Sequence, residues 1–341
     1  MIVIFLILAL VFTVLFSVAV GQMQISLPDA WKITIKNIPF LGDLINDEFP
    51  VLEEVTIMQV RLPRAIAAMI VGAALSVAGV VLQGLFRNPM ADPYLLGISS
   101  GAALGAAIAI GLGIGFRFLG ILDSMQLMAF IGALVTVFVV YNIARTGPRV
   151  PMLTVLLAGI AMTSFLSAII SFIMITLGES LHALIFWLFG TLSGIKWSDV
   201  MISLPLITIG LFTILVFSRQ LNIMLLGEDE AQQLGVETER LKKIMLIFAT
   251  LITATAVSIS GTIGFVGLVI PHIVRILVGP DHRILIPSSA LAGAIILVLC
   301  DTLARTVIQP AELPVGVLTA FFGAPFFLYL LRKKRGLGMR G

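Results

Sequence analysis

Asp301 and Arg305 stand four residues apart in an otherwise apolar run, the spacing at which two side chains meet on one face of a helix. An ionisable pair at that depth is costly, which makes it a candidate either for function or for internal pairing. Arg61 and Arg64 stand three apart at the head of another apolar run. Guanidinium groups stay charged and can hold a carboxylate through two parallel N–H groups. The plainer reading pairs Arg305 with Asp301 and extends Arg61 and Arg64 to lipid headgroups. His182, His272 and His282 are too dispersed to suggest a metal set, and Cys300, the single cysteine, can form no intramolecular disulfide or thiolate cluster. No G-x-x-x-x-G-K-[ST] phosphate loop occurs, so this chain does not cradle nucleotide phosphates in that way, and any ATP with its magnesium must sit on a partner. No succession of buried Asp, Glu or His suggests a proton relay, and no pair of buried catalytic groups suggests an intramembrane enzyme. A sodium site made of backbone carbonyls would leave no such trace, so ion-coupled secondary transport stays open as the alternative.

The densest charge lies between Arg219 and Lys243, in RQLNIMLLGEDEAQQLGVETERLKK, flanked by long hydrophobic blocks. Asn222 is placed to cap a short helical turn that Gly227 ends, and Glu228 to Leu234 reads as a second short helix stopped by Gly235. The first half is apolar (Ile223, Met224, Leu225, Leu226) and the second begins acidic (Glu228, Asp229, Glu230). A solvated loop is the bland reading; consecutive exposed Met and Leu favour a docking surface.

These residues must be positioned by membrane helices, because 59% of the 341 residues are hydrophobic and only 11% charged, with a mean hydropathy of +1.14. The sequence predicts an all-α polytopic membrane protein, a single transmembrane domain over residues 1–341. The first apolar stretch, Met1 to Val20, lacks a basic leader and a small-residue cleavage site and reads as a retained span. A polar segment with three prolines, residues 22–59, follows on the outer side. Spans two to six are expected over residues 62–85, 94–115, 124–144, 152–177 and 197–217, with a short apolar piece at 182–192 that does not cross. Beyond the charged knob, residues 219–243, spans seven to ten are expected over 244–260, 265–278, 284–304 and 315–331.

Ten spans put both termini on one side, and that side collects most of the Lys and Arg, including Arg87, Arg145, Arg149, Lys242, Lys243, Arg283, Arg332 and Arg340. The positive-inside rule therefore makes the knob cytoplasmic. The net charge of +3 reflects this asymmetry and does not imply nucleic acid. A glycine followed ten residues later by a proline recurs at Gly79/Pro89 and Gly261/Pro271, and Ser99-Ser100 with small residues after it is echoed at Ser288-Ser289. Spans two to five then correspond to spans seven to ten as an inverted repeat, unless the echoes are only the small-residue recurrence of any tight bundle.

Four blocks carry a resemblance: Arg61 to Ala106, Leu226 to Val236 (LGEDEAQQLGV), Gly261 to Arg275 (GTIGFVGLVIPHIVR) and Ala311 to Leu331. In order and over nearly the whole chain they resemble the FecCD-type permeases, the membrane subunits of ATP-driven importers for vitamin B12, iron-siderophores and haem. The resemblance implies a BtuC-like, type II importer fold of ten helices. It also implies a second permease copy, two ATPase subunits and an extracytoplasmic binding protein that delivers the ligand. By the same resemblance the knob is the pair of coupling helices, with Asn222, Met224, Leu225, Leu226, Gly227, Glu228, Ala231, Leu234 and Gly235 against the ATPase. Arg61, Arg64 and Arg305 match arginines that receive acidic residues of the binding protein. The resemblance also implies that Asn88, Pro89 and Met90 lie near the cytoplasmic gate and Gly323 along the path, and Phe186 to Thr191 resembles a short outer helix beside it. No cofactor is implied for this chain.

Overall fold

Helices α4 (Leu62–Leu85) and α12 (Thr238–Ser260) form the centre of the molecule and pack against each other. The computed structural model describes residues 1–37, 48–115, 117–118 and 122–338; the middle of the outer segment, 38–47, and Arg340 lie outside the described residues. α4 can be central because its faces are small and apolar all round, and α12 packs on it through the small and apolar residues that follow its charged first turns. In α4, Gly72, Gly79 and a succession of alanines let neighbouring backbones approach, and an added Cβ at Gly79 would lie 1.8 Å from the carbonyl of Gly267. Buried share separates centre from rim: 83% of the span window in α4 and 72% in α12, against 22% in α1 (Ile2–Ala19) and in α7 (Met152–Thr176).

The remaining elements follow the expected order. Outside the core lie α2 (Leu27–Lys36) and α3 (Val51–Val55), the latter joined to α4 by a π-helical turn over Thr56–Arg61. Then come α5 (Ile98–Gly111), a two-residue hairpin (β1 Arg117–Phe118, β2 Leu122–Asp123), α6 (Ser124–Ala144), α7, the short α8 (Leu181–Leu188) and α9 (Trp197–Val216). The knob holds α10 (Ser218–Met224) and α11 (Glu228–Gln233), and after α12 come α13 (Val266–Val278), α14 (His282–Ala304) and α15 (Val315–Gly338). Among the described residues seven helices are long and apolar enough to cross a membrane, and three apolar helices, Ile98–Gly111, Val266–Val278 and the Val315–Tyr329 part of α15, are shorter. Together these are the ten expected spans.

Many of the helix contacts recur when spans one to five are exchanged with six to ten, although α1 packs on α14 with no comparable contact of α9 on α6. α5 packs on α6 as α13 packs on α14; α5 on α7 as α13 on α15; α6 on α12 as α14 on α4; and α1 on α4 as α9 on α12. Both α5 and α13 begin at a residue with left-handed backbone, Gly97 (φ 79) and Phe265 (φ 68). The sequence echoes that suggested the repeat do not lie at equivalent places, however. Gly79 is inside α4 whereas Gly261 ends α12; Pro89 is in a loop whereas Pro271 is inside α13; Ser99-Ser100 opens α5 whereas Ser288-Ser289 lies in α14. Those echoes mark close helix crossings, where small residues recur whatever the symmetry.

Candidate functional site: a broken-helix centre between a knob and an arginine-capped rim

Span α13 has 13 residues and α5 has 14, about 20 Å of helix each, too short for a hydrocarbon layer of about 30 Å. The missing length is made up by a 3-10 turn over Pro93–Leu96 before α5 and by irregular chain over residues 261–265 before α13, and the two segments meet. The Tyr94 hydroxyl donates to the Ile263 carbonyl at 2.9 Å and accepts from the Ile263 amide at 3.0 Å. Asp92 caps the turn that presents Tyr94, accepting from its amide at 2.8 Å. On the other side Thr191 N donates to the Ser260 carbonyl at 2.8 Å, and the Thr262 hydroxyl donates to the carbonyl of Leu188 at the end of α8. Every one of these bonds satisfies backbone that lipid could not, the condition for irregular chain at membrane depth. Sequence reading missed Tyr94, Ile263 and Phe265; the only signal was the shortness of span eight.

Gly323 of α15 lies against this centre. An added Cβ would come within 2.4 Å of the Phe265 Cβ, and Gly323 and Phe265 share a cavity of about 220 Å³ with Val269, Ile296 and Phe322. In α8, Trp187 is buried while Phe186 is exposed, as is Phe189 just past its end.

The knob forms as the sequence suggests, with one reassignment. Gly227 has φ 148, a backbone that L side chains rarely adopt, and lets α11 start at an angle to α10; Gly235 (φ 84) ends it. Asn222 does not cap its own helix but bridges to the start of α14. Its Nδ2 donates to Asp281 Oδ1 at 2.7 Å and its Oδ1 accepts from the His282 amide at 2.8 Å. Hydrogen bonds from Arg283, and after it from Asn222, hold the Asp281 carboxyl well below the usual carboxylate range, so this joint stays charged at any ordinary pH. A second joint fixes α11. Lys242, only 2% exposed, reaches Glu228 at 2.5 Å and Glu239 at 2.9 Å. Glu239 in turn accepts from the Val150 amide, just before α7, at 2.9 Å. The outer ridge of the knob is Leu225, Leu226 and Leu234, the last two over 60% exposed (65% and 61%). Met224 and Ala231 are buried beneath it, so they support the ridge and form no part of its surface.

Beneath the knob the inner loop and the ridge meet: Gln83, Arg87, Pro89, Leu225 and Arg275 line one cleft of about 300 Å³. The loop turns as expected, the Asn88 side chain accepting from the Met90 amide at 3.0 Å.

The three arginines of the opposite end are where the structure corrects the sequence reading most. All are buried, at 4%, 6% and 5% exposure for Arg61, Arg64 and Arg305, and all three donate hydrogen bonds inside the chain, although the Nε of Arg305 has no partner among the described residues. Arg61 donates to the carbonyls of Val18 (3.0 Å), Ala19 (2.8 Å) and Met23 (2.5 Å). Arg305 donates to the carbonyl and hydroxyl of Ser17. Two cations thus satisfy the orphan carbonyls of the last turn of α1, the negative end of its dipole. Arg64 binds both oxygens of Asp301 through Nε at 3.0 Å and Glu312 at 2.8 Å. Asp301 therefore pairs with Arg64 and not with Arg305, and none of the three extends to headgroups or presents a free guanidinium to a docking protein.

An all-helical bundle with short discontinuous spans at its centre, two related halves and a charged knob at one end defines a transmembrane permease. The chain belongs to the FecCD transport family, whose sequence model matches residues 9–333. It is 46% identical over 285 residues to the cobalamin import system permease protein BtuC of Halobacterium salinarum, covering 84% of this chain and 75% of that one. It is 42% identical over 279 residues to the hemin transport system permease protein HmuU of Yersinia pestis, covering 82% and 83%. A solved structure described as an inward-facing metal-chelate type ABC transporter superposes with a TM-score of 0.83 at 32% identity, over 97% of this chain and 99% of that one.

Proposed function

We propose that this chain is the permease of an ATP-driven importer that moves a bulky metal complex, a corrinoid, haem or ferric chelate, from an extracytoplasmic binding protein into the cytoplasm. It works with a second permease copy and two separate ATPase subunits, and both its termini are cytoplasmic. The observation that carries the reading is the knob: exposed Leu225, Leu226 and Leu234 on a rigidly jointed projection at the base-rich end of a FecCD-family bundle. The relatives named for cobalamin and hemin support the substrate class. The ABC-transporter description of the superposed structure favours ATP over an ion gradient.

In this reading the ATPase moves the ridge and two joints pass the motion on, Asn222–Asp281 to α14 and Glu228–Lys242–Glu239–Val150 to α7. Leu226→Asp with Leu234→Asp alters only exposed ridge residues. Co-purification of the ATPase and ATP-driven uptake should fall together, at least about tenfold, as for loss of a buried apolar anchor. Undiminished association and uptake would remove the coupling role.

A further inference from the structure

Helices α6 and α12 leave between them a groove of about 340 Å³ whose walls include Leu134, Phe138, Leu246 and Ile247. At one mouth stand Arg145, just past the end of α6, and Lys243, in the second turn of α12. Both are exposed. Lys243 makes no ion pair among the described residues, and Arg145 uses only its Nε, donating to the Gly147 carbonyl at 2.8 Å. The nearby carboxylate of Glu239 is already held by Lys242 and the Val150 amide, so no carboxylate among the described residues pairs with the two cations.

A second, independent feature lies deeper in the groove. Thr253 and Thr255 of α12 return their hydroxyls to the carbonyls four residues back at 2.7 and 2.8 Å. Thr250, which lines the groove and is only 4% exposed, does not: its hydroxyl is buried with no hydrogen-bond partner. A buried hydroxyl left unpaired is costly, and a ligand group is one way to satisfy it. From Lys243 to Thr250 is seven residues, about 10 Å along the helix axis. That is on the order of the distance from a headgroup phosphate to the first acyl carbons, given a polar layer of about 5–8 Å outside the hydrocarbon.

We propose that this groove is a site for an anionic glycerophospholipid. Its phosphate sits between Arg145 and Lys243, an ester carbonyl accepts from the Thr250 hydroxyl, and one acyl chain lies along Leu134, Phe138, Leu246 and Ile247. Basic mouths between membrane helices select anionic headgroups by charge, and the hydroxyl below fixes the depth. The bound lipid bridges α6 to α12 one turn from Glu239, beside the joint that leads to α7.

The test is native mass spectrometry of the purified full-length permease, with its ATPase partner, titrated with phosphatidylglycerol or with phosphatidylcholine of the same chains. Phosphatidylglycerol should bind at least about tenfold more tightly, as two juxtamembrane cations require. Arg145→Glu with Lys243→Glu should bring it down to the phosphatidylcholine level. Thr250→Val, which keeps shape and charge, should weaken phosphatidylglycerol about threefold to tenfold and shows the effect even if the double variant does not fold. Equal binding of the two lipids, or phosphatidylglycerol binding that neither variant changes, would overturn the assignment. So would a disulfide between the Ile247→Cys residues of two copies, which would mean that a second permease covers the groove.

Discussion

At the scale of single residues, Arg61, Arg64 and Arg305 act as internal fasteners. Asp301 is fully buried, and removing Arg64 leaves its charge uncompensated, a loss of about 3–5 kcal/mol for a broken buried pair. Arg64→Ala should therefore lower the thermal unfolding temperature in detergent by many degrees. Arg64→Lys, which keeps the charge but loses the planar fork that reaches both oxygens of Asp301 and also Glu312, should fall between. If Arg64→Ala instead kept its unfolding temperature and lost affinity only for a binding protein, the docking role read from resemblance would be restored. The order of spans put these arginines at the end away from the knob, as in the structure, because span boundaries are a local signal. It could not show their partners. Asp301 has a neighbour four residues away with the right charge, yet it binds one 237 positions distant, and tertiary geometry is absent from spacing.

At the scale of elements, the knob is two short helices held by two polar joints. Lys242→Met keeps the exposed ridge but cuts α11 from α12 and from the approach to α7. Glu228 and Glu239 keep some access to water, at 43% and 31% side-chain exposure, so the fold should lose only about 1–2 kcal/mol. The ATPase should still co-purify while uptake per ATP hydrolysed falls several-fold, and Lys242→Arg should recover part of it. Unchanged uptake per ATP in Lys242→Met would show that motion does not pass through this joint. Helix starts and stops here were legible because glycine, proline and charge punctuate them locally. The discontinuity of α5 and α13 was not, since the Tyr94–Ile263 contact that makes it possible joins two distant loops. Gly323 was read as a lining position, and its contact with Phe265 means that a tryptophan there would first force α15 from α13, so it tests packing before it tests a lumen.

At the scale of the whole molecule, ten spans were legible because hydropathy writes membrane burial directly into the linear sequence. The exchange of halves was suggested by echoes that proved not to be equivalent, and is carried instead by helix contacts and by the paired left-handed starts at Gly97 and Phe265. The two helices that this exchange relates at the rim, α7 and α15, expose large side chains such as Phe165, Phe172 and Phe321 (62%, 70% and 70%), which suits lining and pairing in a two-permease assembly. The mass of the detergent-purified complex should therefore contain two copies of this chain, and a complex with one would refute that stoichiometry.

A separate ATPase that drives transport through the knob makes uptake depend on ATP and on no ion gradient. The direct measurement is uptake of corrinoid, haem or ferric chelate into proteoliposomes that hold the permease, the ATPase and the binding protein, with ATP on the knob side and ionophores abolishing ion gradients. Uptake should persist with ionophores and stop when ATP or the ATPase is omitted. Accumulation driven by an ion gradient in vesicles holding the permease without any ATPase would contradict the account.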